Sequence, residues 1–238
     1  VRFYSSILPN LYSYILVQSK RFSTEALNRH SATMRMRGRP KVVLARNYEE
    51  ALALYEKYKD NTLGVISDAQ FPVNGKKDPE AGLKLLRAIR AEDEYVPLIM
   101  ESSDSENRQR AEAEGFRFVD KNSKKMSIDL RRIMEEHMGF GDFIFRDPNT
   151  HEELVRIHSL KELQDNIFKI PRDSMLYHIS RNHMSRWLTA RAIFPVSAFL
   201  KQVTWHKLQD VDAHRQIIFD AIVQYRHMKN IGVVAVFD

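Results

Sequence analysis

Three side chains that could take part in chemistry stand at the ends of short apolar runs. The run LGVIS (63–67) ends on Asp68, and Pro72 breaks the chain soon afterwards. Two later runs lead to Ser102 and Lys121. A carboxylate with an ammonium nearby can act as a nucleophile toward a phosphoryl donor. In the acyl phosphate formed, Lys121 would neutralise one phosphoryl oxygen and Ser102 would donate a hydrogen bond to another.

The segments around these residues alternate between strand-like and helix-like patterns. Apolar runs predict buried strands at 41–45, 63–67, 96–101 and 116–119. Helices are predicted after a capping box formed by Asn47 and Glu50, and over 80–91, 105–114 and 127–138. This alternation predicts an α/β fold with a parallel sheet and helices on both faces. Because such sheets bind ligands outside the carboxyl ends of their strands, we expect the three side chains at one edge.

The remaining segments give the domain organisation. Residues 1–28 show helical spacing, with a kink or break expected at Pro9, and 29–40 is predicted to be a loop. The sequence Gly139-Phe140-Gly141 marks a boundary. Beyond it we predict a strand, a capping box, two long helices and a strand-like run, at 143–145, Ser159/Glu162, 174–194, 211–229 and 232–238. The prediction is therefore a domain over 1–138, with an extended segment at 20–40, and a smaller, mainly helical domain over 139–238.

The composition limits the classes of function. The 238 residues carry a formal net charge of +6 and include no Cys, which excludes disulfides, thiolate metal sites and Cys nucleophiles. Absence of Cys fits the reducing cytoplasm, and no apolar run reaches the roughly 18 residues that a membrane helix needs. The basic run at 34–41 lacks interleaved aromatic residues and any helix-turn-helix or zinc-binding spacing. A solvated basic surface is therefore preferred to nucleic-acid binding.

Short motifs follow one another in a recognisable order along the first domain. DAQFP (68–72) combines an aspartate, two variable residues, an apolar residue and a proline. PLIMES (97–102) is a strand pattern that ends on a hydroxyl, and Phe118 precedes Lys121 by three residues. In this order the motifs resemble a response-regulator receiver domain, and the resemblance covers residues 41–138. It implies a flavodoxin-like, doubly wound parallel sheet.

The receiver resemblance also implies roles for individual residues. Asp68 would be the phosphoacceptor, Ser102 and Lys121 its catalytic partners, and Phe118 the switch aromatic. A Mg²⁺ ion would be held by Asp68, by the backbone carbonyl of Gln70 and by an acidic pair. In receivers that pair closes the first strand of the sheet, whereas this chain begins in the helix that follows the strand.

Two departures from the receiver pattern leave alternatives open. We expect the first strand and its acidic pair upstream of Val1; a less favoured interpretation is that 233–238 or another chain takes the place of that strand. Asn122 follows Lys121 where receivers usually have proline. If the acidic pair is absent, the domain is a pseudo-receiver that works without phosphorylation, as an interaction or dimerisation module.

The second half carries a longer motif of its own. GFGDFIFRDP (139–148) followed by YHISRNHMSRWLTAR (177–191) is similar to the N-terminal region of bacterial proteins that continue into a phosphoenolpyruvate synthase or pyruvate phosphate dikinase-like enzyme. The resemblance implies a catalytic region downstream in the same polypeptide. His178 and His183 are five residues apart, which predicts different faces of one helix, so no metal site is expected.

Together these patterns predict a regulatory module of two-component signalling that works in the cytoplasm. The phosphoryl donor would be a sensor histidine kinase or a small phosphodonor, and the output would control the attached enzyme, a phosphotransferase. The chain itself would do no chemistry beyond phosphorylating its own aspartate, and it could form a homodimer. A DNA-binding response regulator is the remaining alternative, and the positive net charge favours it.

Overall fold

The computed structural model describes residues 2–26, 28–208 and 210–230, so the predicted terminal strand at 232–238 lies outside the described residues. Two compact units divide the chain: Val1–Tyr12 with Lys41–Met138, and Ser13–Pro40 with Gly139–Asp238. The segment 20–40, predicted to extend the first domain, therefore belongs to the second unit. There, Arg35 Nη1 donates to the carbonyl oxygen of Phe22 at 2.8 Å, and Asn28 Nδ2 donates to that of Lys229 at 2.9 Å. These bonds tie the segment to its own unit.

The described residues form the following helices and strands. The helices are α1 (Arg2–Thr24), α2 (Arg29–Arg37), α3 (Tyr48–Tyr58), α4 (Ala81–Glu92), α5 (Ser105–Ala113), α6 (Met126–His137), α7 (Leu160–Asn166), α8 (Arg172–Ser180), α9 (His183–Ala190), α10 (Phe194–Gln202) and α11 (Val211–Asn230). The strands are β1 (Val65–Asp68), β2 (Phe71–Val73), β3 (Lys76–Asp78), β4 (Leu98–Ser102), β5 (Arg117–Asp120), β6 (Phe143–Arg146) and β7 (Glu153–Ile157). Within the described ranges, none of the helices combines the length and apolar character that a bilayer crossing requires.

A parallel sheet in the order β1-β4-β5 forms the centre of the first unit. The central strand β4 is buried along its whole length, because helices of the unit cover it. Its apolar residues share one core with the inner side of α4 and with the start of β5: Leu83, Leu86, Ile89, Leu98, Met100 and Phe116. The predicted α/β fold with a parallel sheet is confirmed, and so are the strands and helices predicted between residues 63 and 138.

The segment 41–45 is not the strand that its apolar residues predicted. Its backbone is irregular, and Val43 and Leu44 are 54% and 53% exposed. A strand needs a neighbour for its backbone N–H and C=O groups, and no described strand pairs with this segment.

One prediction about the first forty residues is also wrong. The predicted loop at 29–40 contains α2, which begins where Asn28 Oδ1 accepts a hydrogen bond from Ser31 N at 2.8 Å. This is an ordinary N-cap, which stabilises the first turn of a helix that has few apolar residues. At Pro9, where a kink or a break was predicted, the helix does not break, because α1 continues through it as one helix.

The capping boxes predicted from the sequence are both confirmed. Asn47 Oδ1 accepts from Glu50 N at 2.8 Å, and the Glu50 carboxylate accepts from Arg46 N at 2.7 Å. In the second unit, Ser159 Oγ accepts from Glu162 N at 3.2 Å, and the Glu162 carboxylate accepts from the backbone of the preceding residue, His158 N, at 2.8 Å. Each pair satisfies N–H groups that a helix start leaves without partners.

The second unit combines helices with one hairpin. Strands β6 and β7 pair antiparallel, and the second of them was missed because its exposed residues show little apolar pattern. The predicted helix at 174–194 is wrong, because Asn182 adopts a left-handed conformation (φ 55°) that separates α8 from α9. The predicted helix at 211–229 is confirmed as α11. The core of the unit is built from both the hairpin and the helices, with Phe145, Leu163, Trp187, Ile218 and Ile222 fully buried.

Candidate functional site

The parallel sheet brings Asp68 and Lys121 into direct contact. Asp68 is the last residue of β1, and Lys121 directly follows β5. Lys121 Nζ donates to Asp68 Oδ2 at 2.6 Å. The Asp68 side chain is 30% exposed and that of Lys121 is 15% exposed, so the carboxylate is accessible to a small reactant while the ammonium is largely shielded. The structure thus places these two predicted site residues together at the carboxyl edge of the sheet.

Glu101 is a site residue that the sequence analysis missed. It is the register partner of Asp68 in the neighbouring strand β4, so the two side chains lie on the same side of the sheet. Its side chain is 3% exposed, and its Oε1 lies 3.8 Å from Lys121 Nζ. The signal was present in the sequence: an acid inside an otherwise apolar strand pattern, directly before Ser102, has to find a cation or a hydrogen-bond donor.

Ser102 is held by the start of α5. Its Oγ accepts hydrogen bonds from Asn107 Nδ2 at 3.0 Å and from Asp104 N at 3.1 Å. The hydroxyl keeps its own hydrogen for another acceptor. Its backbone carbonyl oxygen accepts from Lys121 N at 3.0 Å, which fixes the backbone from which the lysine side chain reaches Asp68. The structure therefore connects Ser102 to the site through Lys121.

Phe118 contacts the same helix. The half-buried ring lies 4.6 Å below the guanidinium of Arg108 in α5, a cation–π contact. In the sheet it is the register partner of Met100. Ser102 and Phe118 both contact α5.

The loop after Asp68 is more ordered than a single turn. Gln70 N lies 3.5 Å from Asp68 Oδ1. A hairpin of β2 and β3 follows, and its turn, Asn74-Gly75, has positive φ at both residues (50° and 75°), which is typical of two-residue hairpins. The sequence analysis missed this hairpin, although NG between extended residues is its usual signal.

Gly82 allows α4 to pack directly on the Asp68 loop. Gly82 N donates to the carbonyl oxygen of Ala69 at 3.0 Å. A Cβ at Gly82 would overlap the carbonyl oxygen of Asp68 and would lie 2.9 Å from Ala69 Cα. The absence of a side chain at this position therefore keeps the phosphoacceptor candidate in place.

The donors at this edge do not by themselves fit a Mg²⁺ site. In the described part of the chain, no group of three or more His, Cys, Asp or Glu residues could hold a metal ion. The carboxylates of Asp68 and Glu101 already share the ammonium of Lys121. Mg²⁺ prefers six oxygen ligands and binds through carboxylates and water. The expected role of the Gln70 carbonyl as a metal ligand stays a prediction.

The two histidines of the second motif meet, contrary to the prediction that they lie on different faces of a helix. Because Asn182 interrupts the helix between them, His178 Nδ1 lies 3.0 Å from His183 Nδ1. His178 Nε2 accepts from Arg146 N at 3.1 Å, so the neutral ring carries its hydrogen on Nδ1 and donates it to His183. Burial, reinforced by the charges of Arg146 and Arg181, lowers the pKa of His178 to about 4. The pair is a polar link between β6 and the start of α9.

Arg191 joins the two parts of the second-half motif, GFG at 139–141 and WLTAR at 187–191. Its guanidinium is buried between the rings of Trp187 and Phe22, at 3.9 and 4.2 Å. It donates to the carbonyl oxygens of Gly139 at 2.7 Å and of Gly141 at 2.8 Å. Burial lowers the pKa of Arg191 to about 9, which leaves it charged at neutral pH. The motif GFG…WLTAR is therefore a structural clamp of the second unit.

Comparison with family models, with curated proteins and with solved structures finds no match for this chain. The class of protein is therefore defined by the fold and the site alone. The first unit is an α/β unit with a small parallel sheet, and a carboxylate–ammonium pair lies at the carboxyl edge of that sheet.

Proposed function

We propose that the first unit is a receiver-like module in which Asp68 accepts a phosphoryl group. The observation that carries the proposal is the 2.6 Å contact between Lys121 Nζ and the partly exposed Asp68 carboxylate at the carboxyl edge of the sheet. The sheet order supports it, since β1, β4 and β5 follow one another as the last three strands of a flavodoxin-like sheet do.

The chemistry is a direct phosphoryl transfer to Asp68. A carboxylate oxygen of Asp68 attacks the phosphorus of an acyl phosphate or phosphohistidine donor. The new O–P bond forms as the bond between phosphorus and the donor breaks, and the leaving group takes the bonding pair. The ammonium of Lys121 then pairs with a phosphoryl oxygen, and the hydroxyl hydrogen of Ser102 is available for another.

The proposed output runs through α5. A phosphoryl group at Asp68 offers strong acceptor oxygens to the hydroxyl hydrogen of Ser102. Movement of Ser102 toward them would strain the hydrogen bonds that its oxygen accepts from Asn107 and Asp104. Movement of Ser102 would change the position of α5, and with it the Arg108–Phe118 contact. We propose that a sensor histidine kinase or small phosphodonor supplies the phosphoryl group in the cytoplasm, and that a phosphoenolpyruvate synthase-like region of the same polypeptide responds.

The test is intact-mass spectrometry of the full-length protein after incubation with acetyl phosphate and Mg²⁺. Wild type is expected to gain one phosphoryl adduct, and Asp68→Asn is expected to gain none. Asp120→Asn, which removes another acid from a strand end at the same edge, is the matched control and is expected to be labelled like wild type. An unchanged adduct in folded Asp68→Asn would refute the assignment.

The second candidate is a pseudo-receiver that serves as an interaction module without phosphorylation. The donor set favours it, since the described residues offer no three-carboxylate group for Mg²⁺. The same measurement separates the two candidates, because a well-folded full-length protein without any adduct would support the pseudo-receiver.

A further inference from the structure

A buried acid lies directly behind the Asp68–Lys121 pair. Glu101 and Asp68 are opposite each other in β4 and β1, and Lys121 reaches toward both from the end of β5. The ammonium is 2.6 Å from the partly exposed carboxylate of Asp68 and 3.8 Å from the buried carboxylate of Glu101. The order from solvent inward is therefore carboxylate, ammonium, carboxylate.

The burial of Glu101 makes its charge costly without a cation. Its side chain is 3% exposed, whereas that of Asp68 is 30% exposed. An ionised carboxylate loses most of its hydration at such a position and depends on charged or hydrogen-bonding neighbours. If Lys121 moves away, water or another ion can reach the partly exposed Asp68 carboxylate. The buried Glu101 carboxylate is not open to solvent in this way, so losing the ammonium costs it more free energy.

From this geometry we infer that Glu101 is a positioning residue that holds the Lys121 ammonium beside Asp68; its use in phosphoryl transfer depends on the proposed function. When Asp68 forms the acyl phosphate, its carboxylate charge is lost and phosphoryl charge appears further out. Lys121 has to turn toward the phosphoryl oxygens. Glu101 lies inward of both exchanging groups, so its contact with the ammonium would keep Lys121 at the sheet edge during the exchange of partners.

The test combines a spectroscopic readout with a labelling rate. The ammonium signal of Lys121 is measured by nuclear magnetic resonance in protein carrying ¹⁵N-lysine, and Lys121→Arg identifies it. An ammonium held by a buried carboxylate exchanges its hydrogens slowly and gives a sharp signal. We expect this signal in wild type and in Asp68→Asn, and its loss in Glu101→Gln, which keeps the size of the side chain and removes its charge.

The labelling rate with acetyl phosphate is measured on the same proteins. Glu101→Gln is expected to slow labelling of Asp68 by about tenfold, since a misplaced catalytic group costs one to two powers of ten. Glu101→Asp should restore part of the rate and of the signal, and Asp120→Asn should change neither.

The outcomes separate this inference from the proposed function. A Lys121 signal and a labelling rate that stay at wild-type level in Glu101→Gln would overturn the positioning role. Loss of the signal in Glu101→Gln, in a protein whose wild type gains no adduct, would support the positioning role and reject phosphoryl transfer.

Discussion

Replacement of Arg191 by methionine tests the clamp of the second unit most directly. Methionine keeps much of the apolar stem but removes the donors to the carbonyl oxygens of Gly139 and Gly141. Gly141 retains a partner, because Trp187 Nε1 also donates to it at 3.1 Å. The carbonyl oxygen of Gly139 loses a charged donor inside the protein, which costs about 1–3 kcal/mol. The cation–π contacts with Trp187 and Phe22 are worth a further ~1–2 kcal/mol.

Two charge effects modify this sum in opposite directions. Burial disfavours the guanidinium, as its pKa of about 9 shows, so its removal relieves part of a desolvation cost. Burial also raises the pKa of Glu25, and the charge of Arg191 opposes that rise. Without Arg191, the Glu25 carboxylate is less stable in its ionised form. We therefore expect Arg191→Met to lower the free energy of unfolding by about 2–4 kcal/mol, a large part of typical domain stability.

The assay is urea unfolding followed by tryptophan fluorescence. Trp187 and Trp205 are the two tryptophans of the sequence, and both belong to the second unit, so the signal reports on that unit. Arg181→Met is the matched control, because Arg181 also stacks on an aromatic ring, that of Tyr177, but is only half-buried. The control is expected to lose less than about 1 kcal/mol. A loss below about 1 kcal/mol in Arg191→Met as well would refute the clamp.

Two further predictions concern the remaining packing and titration features. Gly82→Ala should destabilise the first unit by about 1–3 kcal/mol and slow labelling of Asp68, because the new methyl group overlaps the Asp68 carbonyl oxygen; equal stability and labelling would show that the loop yields without cost. Because the folded pKa of His178 is lowered from 6.5 to about 4, the unfolded chain binds the proton more readily, and stability should fall as the pH drops from about 6.5 to about 4, by roughly 3 kcal/mol in total. Thermal unfolding measured across this pH range checks how steeply stability depends on pH. His178→Gln should reduce this pH dependence, whereas His206→Gln, at an exposed histidine, should leave it unchanged.

The sequence alone determined the elements whose signals are local. The strands β1, β4 and β5 and the helices α4, α5 and α6 were predicted because apolar periodicity reports which side of an element is buried. Both capping boxes were predicted because their hydrogen bonds join residues only a few positions apart. Asp68 and Lys121 were expected at one edge because parallel strands present their carboxyl ends on the same side.

Other features depended on partners that lie far away in the sequence. The run 41–45 is apolar enough for a strand, but a strand forms only beside another one, and none of the described strands pairs with it. Asn182 was compatible with a continuous helix, and only its left-handed backbone brought His178 and His183 together. The local sequence pattern shows neither which strand a segment pairs with nor where a helix is interrupted.

The candidate site shows the same distinction. The sequence indicated the acid, the hydroxyl and the lysine, since each ends an apolar run. Only the tertiary structure showed that Ser102 is held by α5 and that a buried carboxylate, Glu101, lies behind Lys121. It also showed that Arg191 joins the GFG segment to α9 across about fifty residues. Burial and long-range hydrogen bonds arise when distant segments pack, and for that reason residue type and spacing did not reveal them.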